Sequence, residues 1–311
     1  MPTPSNKTAD RIQETCENVA AQIIKELDAG VCPWAKPWKG GSSTPVNALT
    51  GSAYSGVWNP LVLMLAGSQY GDSRWAGASQ WWKAKNPVRK GEKGTGIFFP
   101  RFKCSTCSVP VGRGKRCKNG HPIVKDSDKY FSGFGSSVVF NNQQTASPIA
   151  REPVKAVDPA EGFARAAALV KGLDADLRHG GGRAFYDIRQ DYIMVPEAGC
   201  FNTVADYWAT MLHEHAHWSG AKDRLNRKGI TNFTFFGSSE YAYEELVAEL
   251  GSAFLCHHIG VAREGLLGNH AAYIASWKKR LQEDPTVIHK AATEAGRVMR
   301  FLLDKGEGAK G

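Results

Sequence analysis

The chain has 311 residues, 42% of them hydrophobic and 22% charged, the composition of a folded protein long enough for two domains, each with its own core. Its net charge of +9 is unevenly placed: residues 1–150 hold 19 Lys and Arg against 9 Asp and Glu, residues 151–311 hold 20 against 21. No apolar run approaches the roughly 18 residues that span a bilayer, the first residues lack the apolar stretch of a secretion signal, and seven scattered or clustered cysteines do not make a disulfide framework, so a cytosolic protein with no membrane partner is expected.

Along the chain, Thr8 to Ala29 predicts an N-terminal helix, with Ile12, Cys16, Val19, Ile23, Ile24 and Leu27 at helical spacing and Gly30 as its stop. Pro33 to Trp38 is too proline-rich for a helix interior and reads as a loop carrying Trp34 and Trp38. Leu61 to Ala66 predicts a buried helix or strand, Ser79 to Lys85 a short helix, and Gly96 to Lys103 and Phe131 to Phe140 strands. Between those strands, Cys104, Cys107, Cys117 and His121 place four soft ligands in one short insert, spanning 104–121, that is rich in Gly, Lys and Arg. Three Cys and one His can close a tetrahedral structural zinc site; the alternative is a loop with reactive thiols.

Six of the nine tryptophans lie in the basic half, interleaved with Arg74, Arg89, Lys90, Lys93 and other cations. Single-stranded nucleic acid is bound in this way, bases stacking on rings while Lys and Arg track the phosphates. Trp34 and Trp38, on a proline-flanked loop, are the leading stacking candidates, and Trp75 is another; core packing is the competing role for each ring. The segment Pro87 to Gly94 reads as a basic turn able to meet phosphate. Arg151 to Pro159 reads as a linker, giving domains at 1–150 and 160–311.

Beyond the linker, Ala184 to Pro196 reads as two short strands around a turn. His213-Glu214-His215-Ala216-His217 then has the pattern H-E-x-x-H in a helix that Thr203 caps and Gly220 stops. Residues four apart share a helix face, so His213 and His217 can converge on one cation while Glu214 takes a proton from water. His215 falls on another face and is read as structural. Downstream, a second helix from about Ser239 to Gly260 carries Glu245 and Glu249, again four apart. A catalytic zinc needs three protein ligands, and Glu245 is the expected third, with Glu244 its rival. Glu249 is placed to accept a hydrogen bond from a ligand histidine.

This region resembles the gluzincin metallopeptidases, which implies an α+β, zincin-like domain with an active-site helix and a small sheet whose edge strand takes the substrate peptide. More specifically, Asn47 to Leu61, Arg74-Trp75, Ser79-Gln80, Val88 to Gly94, Val139-Phe140-Asn141 and Gln143 resemble the N-terminal domain of the ArdC-type antirestriction proteins. His213 to Gly220 and Arg224 to Arg227 resemble that family's metallopeptidase domain. The likeness runs from about residue 8 to 305; the Cys/His insert departs from it. The resemblance implies a protein of a conjugative plasmid, acting in the bacterial cytoplasm and in the recipient cell. It would bind single-stranded DNA, protect incoming DNA from restriction, and act on a protein substrate such as a component of the restriction system. Tyr54 and Asn59 join the expected DNA contacts on this basis. Zn2+ or another divalent metal is the expected cofactor, with a second structural Zn2+ in the insert. The alternative is a non-catalytic protein that masks single-stranded DNA and keeps the metal for structure.

Overall fold

The structure, a computed structural model, describes residues 6–34, 44–112, 116–150, 158–232, 239–261 and 271–308. Trp38 and all but the last two residues of the expected linker lie outside them.

The N-terminal helix α1 (Asn6–Asp28) buries Cys16, Val19, Ala20, Ile23 and Leu27 along one face, and Gly30, at φ 74°, turns the chain away. The next elements are β1 (Val46–Asn47), α2 (Trp58–Gly67), β2 (Arg74–Gly77), α3 (Ala78–Lys83), β3 (Thr95–Cys104) and β4 (Lys129–Asn141). The strands form one sheet in the order β1-β2-β4-β3, with β1 parallel to β2 and the other pairs antiparallel. Strands β3 and β4 make a long hairpin that runs from the Thr95–Val139 pair to the Cys104–Lys129 pair. Its register shifts between Pro100 and Phe102, where proline has no amide hydrogen to donate. Asn59 pins α2 to β3: its side chain donates to the Phe98 carbonyl at 2.7 Å and accepts from the Phe98 amide at 3.0 Å.

At the base of this sheet Asp72 is buried, and its carboxylate accepts from the Arg74 amide, the Arg74 guanidinium at 2.7 Å and Asn142 at 3.0 Å. Burial pushes its pKa up, but the Arg74 and Asn142 hydrogen bonds outweigh that and bring it down to about 2. A carboxyl whose folded pKa lies below its unfolded one stabilises the fold above the unfolded value and loses that contribution as pH falls through the folded value. The stability gap between wild type and Asp72→Asn, read from urea unfolding, is therefore expected to be full above about pH 4 and to close toward pH 2. A gap independent of pH would show that the Asp72 charge does not matter.

The second half contributes α4 (Pro159–Leu173), β5 (Asp176–His179), β6 (Phe185–Asp187), β7 (Tyr192–Val195), α5 (Val204–Trp218), α6 (Lys228–Thr231), α7 (Ser239–Ile259), α8 (Ala271–Glu283) and α9 (Thr286–Gly308). Asp158 caps α4 through the Ala160 amide, with Pro159 in the first turn. The three-stranded sheet has the order β5-β7-β6, so β6 is an edge. Helices α5, α7 and α9 stack on one another, and α4 crosses α9 where a Cβ on Gly172 would lie 2.3 Å from the Gly306 carbonyl oxygen. Only glycine permits that approach.

The larger hydrophobic core draws on both halves of the chain. Cys16, Ile23, Leu61 and Phe98 belong to one continuous cluster with Leu212, Leu246, Ile288 and Val298, as α1 packs against α8 and α9. Trp34 joins this core. It is 4% exposed and its ring meets Trp277 of α8 edge-on at 5.9 Å, which corrects the expectation that Trp34 stacks on bases from an open loop. Trp34→Ala is expected to cost about 3 kcal/mol of stability, since it removes a large buried ring from the core. Denaturant unfolding would measure it, and unchanged stability would return Trp34 to the surface.

Candidate metal centre

Helix α5 begins where the side chain of Thr203 accepts from the Asp206 amide at 3.0 Å, as its sequence predicts. From there the helix carries His213, Glu214 and His217 into the interior; they are 9%, 7% and 7% exposed. Buried ionisable groups are costly unless paired or metal-bound, so the partners of each decide the chemistry. His213 Nε2 and His217 Nε2 face each other at 3.0 Å. Glu245, from α7, lies 3.5 Å from each of these nitrogens through its two oxygens. Donors around a tetrahedral cation with bonds near 2.0–2.1 Å stand about 3.3 Å apart, so this trio fits a divalent metal. Glu245 is thus the residue of its pair that faces the two histidines.

Glu244, the rival, serves another purpose. It lies on the adjoining face of α7, where Oε1 is 3.3 Å from His217 Nδ1. Arg227 holds it from behind, donating to both carboxylate oxygens at 2.5 and 3.1 Å, to Ser219 Oγ at 2.8 Å and to the Ala216 carbonyl at 2.7 Å. Glu249 does for His213 what Glu244 does for His217: its Oε1 is 3.1 Å from His213 Nδ1. Each histidine is therefore anchored through Nδ1 by a carboxylate, leaving Nε2 aimed at the common centre. Arg227 is a functional candidate that the sequence reading did not assign, and Glu244, read there as a rival ligand, proves to be the anchor of His217 instead. The signal of Arg227 was weak, because a lone arginine 17 residues from its partner carries no helical spacing.

The electrostatics follow from burial. Burial lowers the affinity of His213 for a proton, but hydrogen bonds to Glu245 and Glu249 outweigh it and raise its pKa well above the usual imidazole range. Burial pushes Glu245 up, while the His217 charge and the His213 and Tyr241 hydrogen bonds pull it down to about 2. Glu214 moves the other way: burial raises its pKa, only partly offset by His213 and His217 and by the Tyr186 backbone amide. A buried carboxylate whose pKa is shifted upward is shifted in the direction a general base needs. His215 is held neutral, burial lowering its pKa to about 4, and its Nδ1 lies 2.7 Å from the Met211 carbonyl; it stands apart from the cluster.

A cavity of about 520 Å³ opens on the centre, lined by His213, Glu214, His217 and Glu245, by Ala184 to Arg189 along β6, and by Gly229, Ile230, Tyr241 and Tyr273. Arg224 fixes this wall: it donates to the Trp218 carbonyl at 2.7 Å and to Asp191 and Tyr186 across the β6–β7 turn. Tyr241 and Tyr273 also escaped the sequence reading. Tyr241 is hydrogen-bonded to Glu245 and to Tyr273, so two phenols from α7 and α8 border the cavity.

In the first half the expected DNA contacts separate into two groups. Trp75 is fully buried in the smaller core with Leu63, Ile97 and Val139, so the stacking role expected of it is corrected. Arg74 spends its guanidinium on Asp72 and on the carbonyls of Ile149 and Ala150. Tyr54 donates to the Trp75 carbonyl, and Asn59 is committed to Phe98. Arg89 donates to Glu92 and to the Thr145 carbonyl. Lys90 and Lys93 are exposed. So are Trp82, at 73%, and, on the β3–β4 hairpin, Phe99, Tyr130 and Phe131. Arg101 lies over Phe99, and Lys129 over Phe102. The expected Cys/His insert also assembles: Cys104, Cys107, Cys117 and His121 bring their ligand atoms within 4.8 Å of one another.

Comparison with known proteins places this geometry among relatives. Residues 164–294 match the zincin-like metallopeptidase family and residues 13–116 match the N-terminal domain of anti-restriction factor ArdC. Crystal structures of the antirestriction protein ArdC from plasmid R388, one metal-free and one with Mn(II) bound, are 30% identical and superpose with a TM-score of 0.68; the match covers 94% of this chain and 98% or 97% of theirs. The uncharacterized protein y4eC of Sinorhizobium fredii is 33% identical over 95% of this chain and 94% of its own. A DNA primase TraC of Escherichia coli is 37% identical over 92% of this chain, which spans about a quarter of that primase's length, 27%. Among the described residues no helix is long and apolar enough to cross a membrane.

Proposed function

The chain belongs to the ArdC antirestriction family and carries its zincin-like metallopeptidase domain, and on that footing we propose that it binds single-stranded DNA through residues 1–150 and cleaves peptide bonds at a zinc site in residues 160–311. It would thereby protect incoming plasmid DNA from restriction in the bacterial cytoplasm, its protein substrate belonging to the restriction machinery. The observation that carries the reading is the convergence of His213, His217 and Glu245 beside Glu214, in a cavity bordered by the edge strand β6.

His213, His217 and Glu245 would hold the cation. Zn2+ suits this set of two imidazoles and a carboxylate, and Mn2+, present in the R388 relative, is the alternative. When bound, the metal supplies Lewis acidity toward a carbonyl and acidifies water. Everything else falls to the protein. Glu214 receives the proton of the attacking water and returns it to the leaving amine. The free edge of β6 takes an extended peptide as an added strand, with Phe185 and Ile188, both exposed, as apolar contacts for its side chains. Tyr241 and Tyr273 restrict how the peptide lies over Glu214. For DNA, the exposed rings of Trp82, Phe99 and Phe131 offer stacking faces, and Lys90, Lys93 and Arg101 offer phosphate contacts.

The test is Glu214→Gln, assayed both for hydrolysis of unfolded protein and for protection of single-stranded DNA. Hydrolysis is expected to fall about 10²-fold or more while DNA binding is retained. Protection that persists in full in this variant would favour masking of DNA without turnover. Wild-type protein with no hydrolysis of any protein substrate, restriction components included, would overturn the catalytic half of the reading.

A further inference from the structure

The outer end of the β3–β4 hairpin is built without a hydrophobic core. Between Cys104 and Asp128 the buried side chains, among the described residues, are those of Cys104 and Cys117 alone. Yet the segment is sharply folded. One tight turn follows β3: the Ser108 amide donates to the Cys104 carbonyl at 2.8 Å, the Cys104 amide to the Val109 carbonyl at 2.9 Å, and Ser108 adopts φ 58° to close it. A second turn repeats the device. The Gly120 amide donates to the Cys117 carbonyl and the Cys117 amide to the His121 carbonyl, both at 2.9 Å, with Gly120 at φ 82°. The Thr106 and Cys107 amides also point at the Cys104 sulfur, a donor arrangement that suits a thiolate.

The two turns face one another and present their ligands inward. Cys107 Sγ lies 3.6 Å from Cys117 Sγ, Cys117 Sγ lies 3.5 Å from His121 Nδ1, and Cys104 Sγ lies 3.9 Å from the same nitrogen. Bonds of about 2.3 Å to sulfur and about 2.0–2.1 Å to nitrogen, set tetrahedrally, separate sulfurs by about 3.8 Å and sulfur from nitrogen by about 3.5 Å. A disulfide needs about 2.05 Å, and all of these cysteines are free.

We infer that Cys104, Cys107, Cys117 and His121 form a closed, structural zinc site that holds the outer end of the β3–β4 hairpin, separate from the centre at His213. With four protein ligands the site has no open position for water, so its role is to fold this segment. Three thiolates also make it selective: they favour Zn2+ or Co2+ and disfavour Mn2+, whereas two imidazoles and a carboxylate accept all three.

Metal loading of the full-length apoprotein tests the inference without reference to activity. Co2+ is expected to bind to about two equivalents per chain and to give the near-ultraviolet sulfur-to-cobalt absorption of thiolate ligands; Mn2+ is expected to bind to about one. The sulfur-to-cobalt band should remain in His213→Ala, disappear in Cys107→Ser, and shift without loss in His121→Cys, which keeps four soft ligands. Arg116, Lys118 and Lys125 are exposed, so chelation should make the chain cleavable after them by loosening the backbone turns, and zinc should restore resistance to trypsin. Wild-type protein that takes up Co2+ without the sulfur band, or that purifies with Cys107 and Cys117 joined as a disulfide, would overturn the site even if the His213 centre loads normally. Loss of the His213 centre alone would leave the band in place, so the two sites fail independently.

Discussion

His213→Ala and His217→Ala are expected to abolish Mn2+ binding, while Glu214→Ala binds the metal as wild type does. Mn2+ is the informative probe because a thiolate site discriminates against it, which confines the readout to one centre. Among the described residues, His213, His217 and Glu245 alone converge on the common point, whereas Glu214 faces the cavity and takes a hydrogen bond from the Tyr186 amide. The adjacent glutamates give the sharper contrast. Glu245→Ala removes a ligand and should behave like the histidine variants. Glu244→Ala removes no ligand but takes away the anchor of His217 Nδ1 and the partner of Arg227, and should weaken binding about 10–100-fold rather than eliminate it. Metal content after dialysis, together with a titration, measures both. Equal losses from Glu214→Ala and His213→Ala would overturn the assignment of roles, and an unaffected Glu245→Ala would move the ligand elsewhere.

The metal centre was legible in the sequence because helical spacing fixes it. Four-residue intervals put His213 and His217 on one face of α5 and Glu245 and Glu249 on one face of α7, and both helices formed where caps and glycines predicted. Spacing alone left Glu244 and Glu245 equivalent, since adjacent positions on a buried helix are both hidden. The phase of α7 against α5 decides between them, and that is a property of packing. Helices α4, α8 and α9 were not read at all, and with them went Tyr273 and the partner of Trp34. The misplacing of Trp34 has the same origin: a proline-flanked ring reads as surface until Trp277, more than 200 residues away, is seen to cover it. Trp82 shows the converse. Its neighbour Trp81 is buried with Nε1 donating to the Phe140 carbonyl, while Trp82 faces out, a difference set by the short helix α3 and invisible in a pair of identical residues.

Arg227→Met is expected to destabilise the protein by about 4 kcal/mol, because it strands a buried carboxylate. Glu244 is 1% exposed and Arg227 6%. Burial pushes the Glu244 pKa up, and the Arg227 charge is the largest influence bringing it down. Without that charge, Glu244 must either stay ionised in a poorly solvating interior or take up a proton, and both outcomes cost stability at neutral pH. Arg227 also satisfies the Ala216 carbonyl and the Ser219 hydroxyl, so its removal loosens the end of the helix that carries His217. The double variant Arg227→Met with Glu244→Gln separates these effects. Removing both charges should recover a large part of the stability, since a buried ion pair replaced as a unit is often neutral, but not the metal affinity, since a neutral amide orients His217 less strongly than a carboxylate. Urea unfolding and Mn2+ titration of the single and double variants provide the comparison. If Arg227→Met costs less than about 1 kcal/mol, the range of an exposed pair, the Arg227–Glu244 contact is not the buried support for His217 that its geometry describes.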